Sequence, residues 1–265
     1  MPLAVIPWFE LPTLELGPFR IQSFGVLSAL GILAAIHIGS RASARLGKDP
    51  RVIPDFAVAG VLSGIVMGHL VHLFFYHPEE LREGPLRILK VWEGLSSMGG
   101  LLGGIAAAVV FFRVKRIPLR DYADAFALGI PWGWGVARLG CFTVHDHPGV
   151  RTDFPLAVAF PGGPRHDLGL YEAGLLFAIG AVVWALLRRR LLAGRLLALV
   201  ALLYGAGRFL LDFLRAREIV SGAGFFAKPD GRQLGLTFAQ WFSLLLVAWA
   251  VWALVPRRGG GTKTA

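Results

Sequence analysis

The 265-residue chain is 55% hydrophobic and only 17% charged, with a mean hydropathy of +0.61. A soluble domain of this length carries about a quarter charged residues, so a water-soluble globule is excluded; the long Leu-, Val- and Phe-rich runs exclude a collagen-like or disordered chain. The single cysteine, Cys141, can form no internal disulfide.

The first residues contain Pro2, Pro7, Pro12 and Pro18 and no basic group ahead of an apolar core. They do not read as a signal peptide, and the first apolar span is expected to serve for targeting. Apolar stretches follow near 21–40, 53–76, 97–112, 122–142, 171–187, 191–214 and 237–255. A helix crosses the hydrocarbon with about 17–25 residues. The expected fold is therefore all-α: one polytopic membrane domain over 1–265, with about seven transmembrane helices and a short extracytoplasmic head. The third stretch is short and crowded by Gly99, Gly100, Gly103 and Gly104, which fits close helix packing or a broken helix lining a cavity. External loops are expected at 77–96, 143–170 and 215–236. The charged stretch 79–93 is expected on the membrane surface, and the tail GGGTKTA is expected to be disordered.

The basic residues give a direction. Arg41, Arg45, Lys48 and Arg51 follow the first span, and Arg113, Lys115, Arg116 and Arg120 the third. Arg188, Arg189, Arg190 and Arg195 follow the fifth, and Arg257, Arg258 and Lys263 the seventh. These are 15 of the 27 Lys and Arg, all on one side if seven spans alternate. Dense basic loops stay in the cytoplasm, so the N-terminus is expected outside and the C-terminus inside. Topology thus accounts for most of the net charge of +10, and nucleic acid is not an expected partner.

Ionisable residues inside the spans call for a reason, because each costs roughly 2.5–3.5 kcal/mol on insertion scales. They are His69 and His72 in the second span, Asp124 and Arg138 in the fourth, Glu172 at the start of the fifth, and Arg208 and Asp212 in the sixth. Arg208 and Asp212 are four apart and share a helix face, so a stapling ion pair is one reading. Snorkelling to headgroups is one reading of Arg138. Two arginines at one depth also suit a phosphate, which guanidinium groups bind through paired N–H donors. An anionic headgroup site in the outer half of the bilayer follows, without a reaction. The halves show no evident repeat, which speaks against a transporter.

Several ordered blocks carry a resemblance: VWEGLSSMGGLLGG (91–104), DAFALGIPWGWGVARLGCF (124–142), FPLAVAFP (154–161), RHDLGLYE (165–172), YGAGRFLLDFLR (204–215) and FAQWFSLLL (238–246). Over about residues 15–255 the chain resembles the prolipoprotein diacylglyceryl transferases. The resemblance implies a seven-span bacterial inner-membrane enzyme. Its partners would be phosphatidylglycerol and a preprolipoprotein signal peptide with its lipobox cysteine. The diacylglyceryl group would pass to that thiol with loss of glycerol phosphate. No cofactor or metal is expected.

Carried over by residue, Arg138 matches the arginine of the family signature GRxGNFxNGE and Arg208 the arginine of YGxxR. Asp124 matches a fourth-span aspartate and Gly149 the glycine that closes the signature. His166 matches the histidine of an RHPSQLYE-like segment, and Tyr171 and Glu172 its tyrosine–glutamate pair. Asp212 stands for a glutamate. The implied catalytic set is Arg138, Arg208, His166 and Asp146. The implied substrate-binding set adds Asp124, Gly99, Gly100, Gly149, Tyr171, Glu172 and Asp212.

The chain departs from the pattern at several places. The family's HGG reads Met98-Gly99-Gly100, the asparagine of RLGN is Cys141, and Val144 replaces the next asparagine. Asp146 stands for the signature glutamate, Phe24 for a first-span tyrosine and His69 for a second-span arginine. Two readings remain open here. In one, the arginines carry the chemistry with a relocated base drawn from His145, His147, His69 and His166. In the other, the chain is a paralogue that binds phospholipid or precursor without turnover. His145-Asp146-His147 contains metal-ligand types, but three adjacent loop residues without a further set do not make an expected metal site. Cys141 reads as a small buried residue rather than a nucleophile.

Overall fold

The computed structural model describes residues 6–11, 13–16, 19–76, 78–91, 94–224 and 231–255. The side chain of Met98, the tail and its basic group Arg257, Arg258 and Lys263 lie outside the described residues.

Among the described residues, eight α-helices form the frame: α1 (Ser23–Arg45), α2 (Val52–Val71), α3 (Pro78–Glu83), α4 (Ser97–Val114), α5 (Ala123–Val144), α6 (Leu168–Arg188), α7 (Leu196–Leu211) and α8 (Phe238–Leu254). Ser23–Arg45, Val52–Phe74, Leu168–Arg188 and Leu196–Leu214 are long and apolar enough to cross a bilayer; α4 and α8 are apolar but shorter. α5 has 22 residues, but Asp124, Pro131 and Arg138 dilute its apolar character. Leu33, Val58, Leu62, Leu210, Leu245 and Trp252 are each more than 60% exposed. Water would penalise that much bare apolar surface, whereas lipid does not. The chain is a predominantly helical membrane protein.

The expectation of an all-α chain needs correction. Among the described residues there are eight short strands: β1 (Ile6–Pro7), β2 (Leu14–Leu16), β3 (Phe19–Ile21), β4 (Pro148–Arg151), β5 (Val158–Phe160), β6 (Gly163–Asp167), β7 (Arg232–Gln233) and β8 (Leu236–Thr237). Four of them make a sheet in the order β1-β5-β6-β4, with β1 parallel to β5 and the other pairs antiparallel. Most of this sheet lies in the segment read above as the loop 143–170. Strands of two to five residues, rich in Pro, Gly and Arg, have no alternation long enough to stand out. Val158 and Phe160 pack with Ala216 and Val220, and Ile6, Trp8, Phe142 and Ala223 close over them.

The chain divides into two compact units, Ile38–Ala125 and the remainder, Met1–His37 with Phe126–Ala265. In the first unit, α2 and α4 lie against each other through glycine. A Cβ on Gly99 would sit 2.4 Å from the Met67 carbonyl oxygen, and one on Gly103 would sit 2.4 Å from that of Ser63. Backbones this close exclude any side chain larger than hydrogen. Ser63 Oγ donates to the Gly103 carbonyl at 2.9 Å across the same seam.

In the second unit, Gly31 of α1 and Gly133 of α5 meet in the same way, each Cβ position lying 2.4 Å from the other's carbonyl oxygen. Asp167 caps α6 by accepting from Leu170 N at 3.2 Å. Thr237 and Gln240 form a reciprocal capping box at the start of α8, which satisfies two backbone donors that a helix start leaves free.

Candidate active site

α5, α6 and α7 each bring one charged side chain to a common point. Arg138 of α5 places Nε 3.0 Å from Oε2 of Glu172 on α6, and Arg208 of α7 places Nη1 3.1 Å from Oε1 of the same carboxylate. The Glu172 side chain is 0% exposed. Tyr204, one turn before Arg208, donates its hydroxyl to Glu172 Oε2 at 3.3 Å and lies against the Trp134 ring.

Arg208 Nη1 also donates to Asp212 Oδ1 at 2.8 Å, and Arg215 Nε donates to that oxygen at 3.1 Å. Thr237 Oγ1 donates to Asp212 Oδ2. Three guanidinium groups therefore surround two buried carboxylates. Arg138 Nε and Glu172 Oε1 are close to opposite charge yet make no aligned hydrogen bond. Buried polar atoms are seldom left so, and both retain capacity for an incoming group.

The turn after α5 adds a second set. Arg138 Nη1 lies 3.2 Å from His147 Nε2 and 3.6 Å from Cys141 Sγ. His147 Nδ1 is hydrogen-bonded to Asp146 Oδ1. Cys141, Asp146 and His147 bring ligand-type atoms within 4.8 Å of one another, but the Arg138 guanidinium faces two of the three. A cation in that position opposes a metal ion, so the set does not fit one.

His145 points away from this set. Its Nδ1 is 2.8 Å from Asp167 Oδ2 and its Nε2 3.1 Å from the Phe9 carbonyl oxygen. Phe9, Phe142 and Phe160 surround the ring edge-on and Trp8 stacks on it. Its backbone is left-handed, at φ 48°, a conformation that costs a non-glycine residue on the order of 1–2 kcal/mol. The buried contacts of the imidazole offset the cost. Burial pushes the Asp167 carboxyl up, with the His145 hydrogen bond opposing.

The remaining expected residues occupy other places. His166 Nδ1 lies 2.9 Å from the Tyr171 hydroxyl, which donates onward to the Leu156 carbonyl at 3.3 Å. Partial burial pushes the His166 imidazole below its ordinary value. Gly149 is a packing point: a Cβ there would lie 2.6 Å from His166 Cβ and 2.8 Å from the Leu214 carbonyl oxygen. Asp124, Gly99 and Gly100 belong to the other unit. There Asp124 is buried and Gly99 serves the α2–α4 contact described above. His69 is also in that unit, with Nδ1 3.2 Å from the Gly94 carbonyl and Nε2 3.0 Å from that of Arg87.

The family model for prolipoprotein diacylglyceryl transferase matches residues 12–256. The chain belongs to the prolipoprotein diacylglyceryl transferase family. Similar proteins named phosphatidylglycerol–prolipoprotein diacylglyceryl transferase occur in several bacteria. That of Chromohalobacter salexigens is 34% identical over 252 residues, spanning 93% of each chain. That of Cupriavidus metallidurans is 33% identical over 279 residues, spanning 99% of each. That of Bordetella bronchiseptica is 32% identical over 250 residues, spanning 91% of this chain and 92% of its own.

Within this diacylglyceryl transferase chain, the structure brings Arg138, Glu172, Arg208 and Asp212 into one network and places Asp146 at its edge through His147. Tyr204, Arg215 and Thr237 are members that the sequence reading did not assign, and His147 stands there as one of four candidate bases. Tyr204 had a signal, since it precedes Arg208 by four in YGAGR. Thr237 had none, because its contact with Asp212 spans 25 positions.

Proposed function

We propose that this chain transfers the diacylglyceryl group of phosphatidylglycerol to the lipobox cysteine of a preprolipoprotein signal peptide. It does so in the bacterial cytoplasmic membrane, crossing seven times with the N-terminus outside and the C-terminus in the cytoplasm. The convergence of Arg138 and Arg208 on Glu172 carries this reading. A phosphodiester headgroup carries one negative charge, and two neighbouring guanidinium groups can receive its oxygens through paired N–H donors. Glu172 and Asp212 hold the guanidinium groups in place before the lipid arrives, so the donors need little reorganisation as charge develops.

In the reaction the acceptor sulfur attacks the terminal glycerol carbon of the diacylglyceryl group. The S–C bond forms as the C–O bond to phosphorus breaks, and that electron pair stays on the phosphate oxygen. Glycerol phosphate leaves with a second negative charge, which Arg138 and Arg208 stabilise. They also hold the carbon in line for attack.

Reconstitution of the purified chain with phosphatidylglycerol and a lipobox peptide tests the proposal. A thioether-linked diacylglyceryl peptide is expected, and its loss in Arg208→Ala. No thioether product under conditions in which the Chromohalobacter salexigens relative works would overturn it.

A further inference from the structure

A thiol attacks carbon only as its thiolate, so the transfer needs a group that accepts the thiol proton beside the arginines. The four histidines read above as candidate bases separate by geometry. Both His145 nitrogens are engaged and its side chain is 2% exposed. Both His69 nitrogens face carbonyl oxygens. His166 is hydrogen-bonded to Tyr171. His147 differs from all three: it touches the phosphate-binding guanidinium directly, and its side chain is 20% exposed.

The proton positions follow from the partners. An ionised Asp146 only accepts, so His147 Nδ1 carries the hydrogen and Nε2 presents a lone pair. That lone pair faces Arg138 Nη1 at 3.2 Å. The backbone is fixed as well, since the His147 carbonyl accepts from Leu168 N at 3.0 Å at the start of α6. Asp146 therefore sets the ring's tautomer and direction, as carboxylates do for catalytic imidazoles.

Resting on the transfer reaction proposed above, we infer that His147 is its general base, positioned by Asp146 and masked by Arg138 until a lipid phosphate binds. The phosphate oxygens compete for Arg138 Nη1 and draw it away from Nε2. The freed lone pair takes the thiol proton as sulfur attacks the glycerol carbon. The C–O electron pair leaves with the phosphate, and the imidazolium faces the departing dianion, to which it returns the proton. Base and leaving-group site thus share one arginine, and the base is exposed only when the lipid donor is in place.

The test compares a cysteine lipobox peptide with the same peptide carrying selenocysteine, whose selenol is far more acidic and ionises without a base. In His147→Gln, turnover of the thiol is expected to fall by about 100-fold, the low end of general-base contributions. Turnover of the selenol by the same preparation is expected to fall by less than about tenfold on that assignment. Asp146→Asn shows a smaller thiol loss with the same relief. The selenol-to-thiol ratio does not depend on the folded fraction, so a variant that folds poorly still reports. Equal losses with both peptides, or no loss with the thiol, would overturn the assignment of His147 while wild-type turnover upholds the transfer reaction. No product from the wild type with either peptide overturns both.

Discussion

Arg138 and Arg208 approach the two oxygens of one carboxylate, Glu172, at 3.0 and 3.1 Å. They come from different helices, so without Glu172 two buried cations would repel each other across the site. The shared carboxylate makes an arginine pair that can wait for an anion.

Glu172→Gln removes that charge and keeps the shape. Breaking a buried ion pair from one side costs about 3–5 kcal/mol. We expect a clear fall in the melting temperature in detergent and loss of thioether formation. Raising phosphate concentration should restore part of the melting temperature by supplying the missing anion. A variant as stable and active as the wild type would remove Glu172 from the organising role.

Cys141 stands where the family signature has asparagine, and its sulfur contributes only a weak acceptor at 3.6 Å from Arg138. Cys141→Ala is expected to keep turnover within about fivefold, since a weak hydrogen bond contributes on the order of 1 kcal/mol or less. A loss above 100-fold would instead make the thiol part of the chemistry.

Gly149→Ala places a methyl group against His166 Cβ and the backbone of Leu214. Neither neighbour is the free end of a flexible side chain. Overpacking of this kind costs about 1–3 kcal/mol, and β4 must shift with its partners. Thermal unfolding should register the loss, and an unchanged melting temperature would show that β4 relaxes at no cost.

His166 gives a pH dependence with a defined sign. Burial lowers its pKa in the folded chain, so the unfolded chain binds the proton more readily. The stability it contributes is present above the ordinary histidine value of about 6.5 and is lost as pH falls through the lower folded value. The melting temperature should therefore decline as pH falls below 6.5, and less so in His166→Asn. Parallel curves for the two proteins would contradict this.

The helical frame was legible because a membrane span is written locally, as an apolar run of sufficient length. Arg138, Arg208 and Glu172 stood out for the same reason: a charge in an apolar run is conspicuous. The sheet was not legible, since its strands are two to five residues long and are stabilised by partners distant in the chain. Gly99 read equally well as packing or as a cavity lining until the Met67 carbonyl was seen against it.

His147 shows the boundary most clearly. By itself the sequence determined an apolar, multi-helix chain with a few buried charges and three adjacent loop residues of uncertain use. From the sequence, His145 and His147 are equivalent candidates for the base. Only the tertiary structure turned His145 inward to Asp167 and His147 outward to Arg138. The reason is tertiary: Asp167 and the Phe9 carbonyl, distant in the chain, hold the His145 ring, and local composition does not specify which ring meets the arginine.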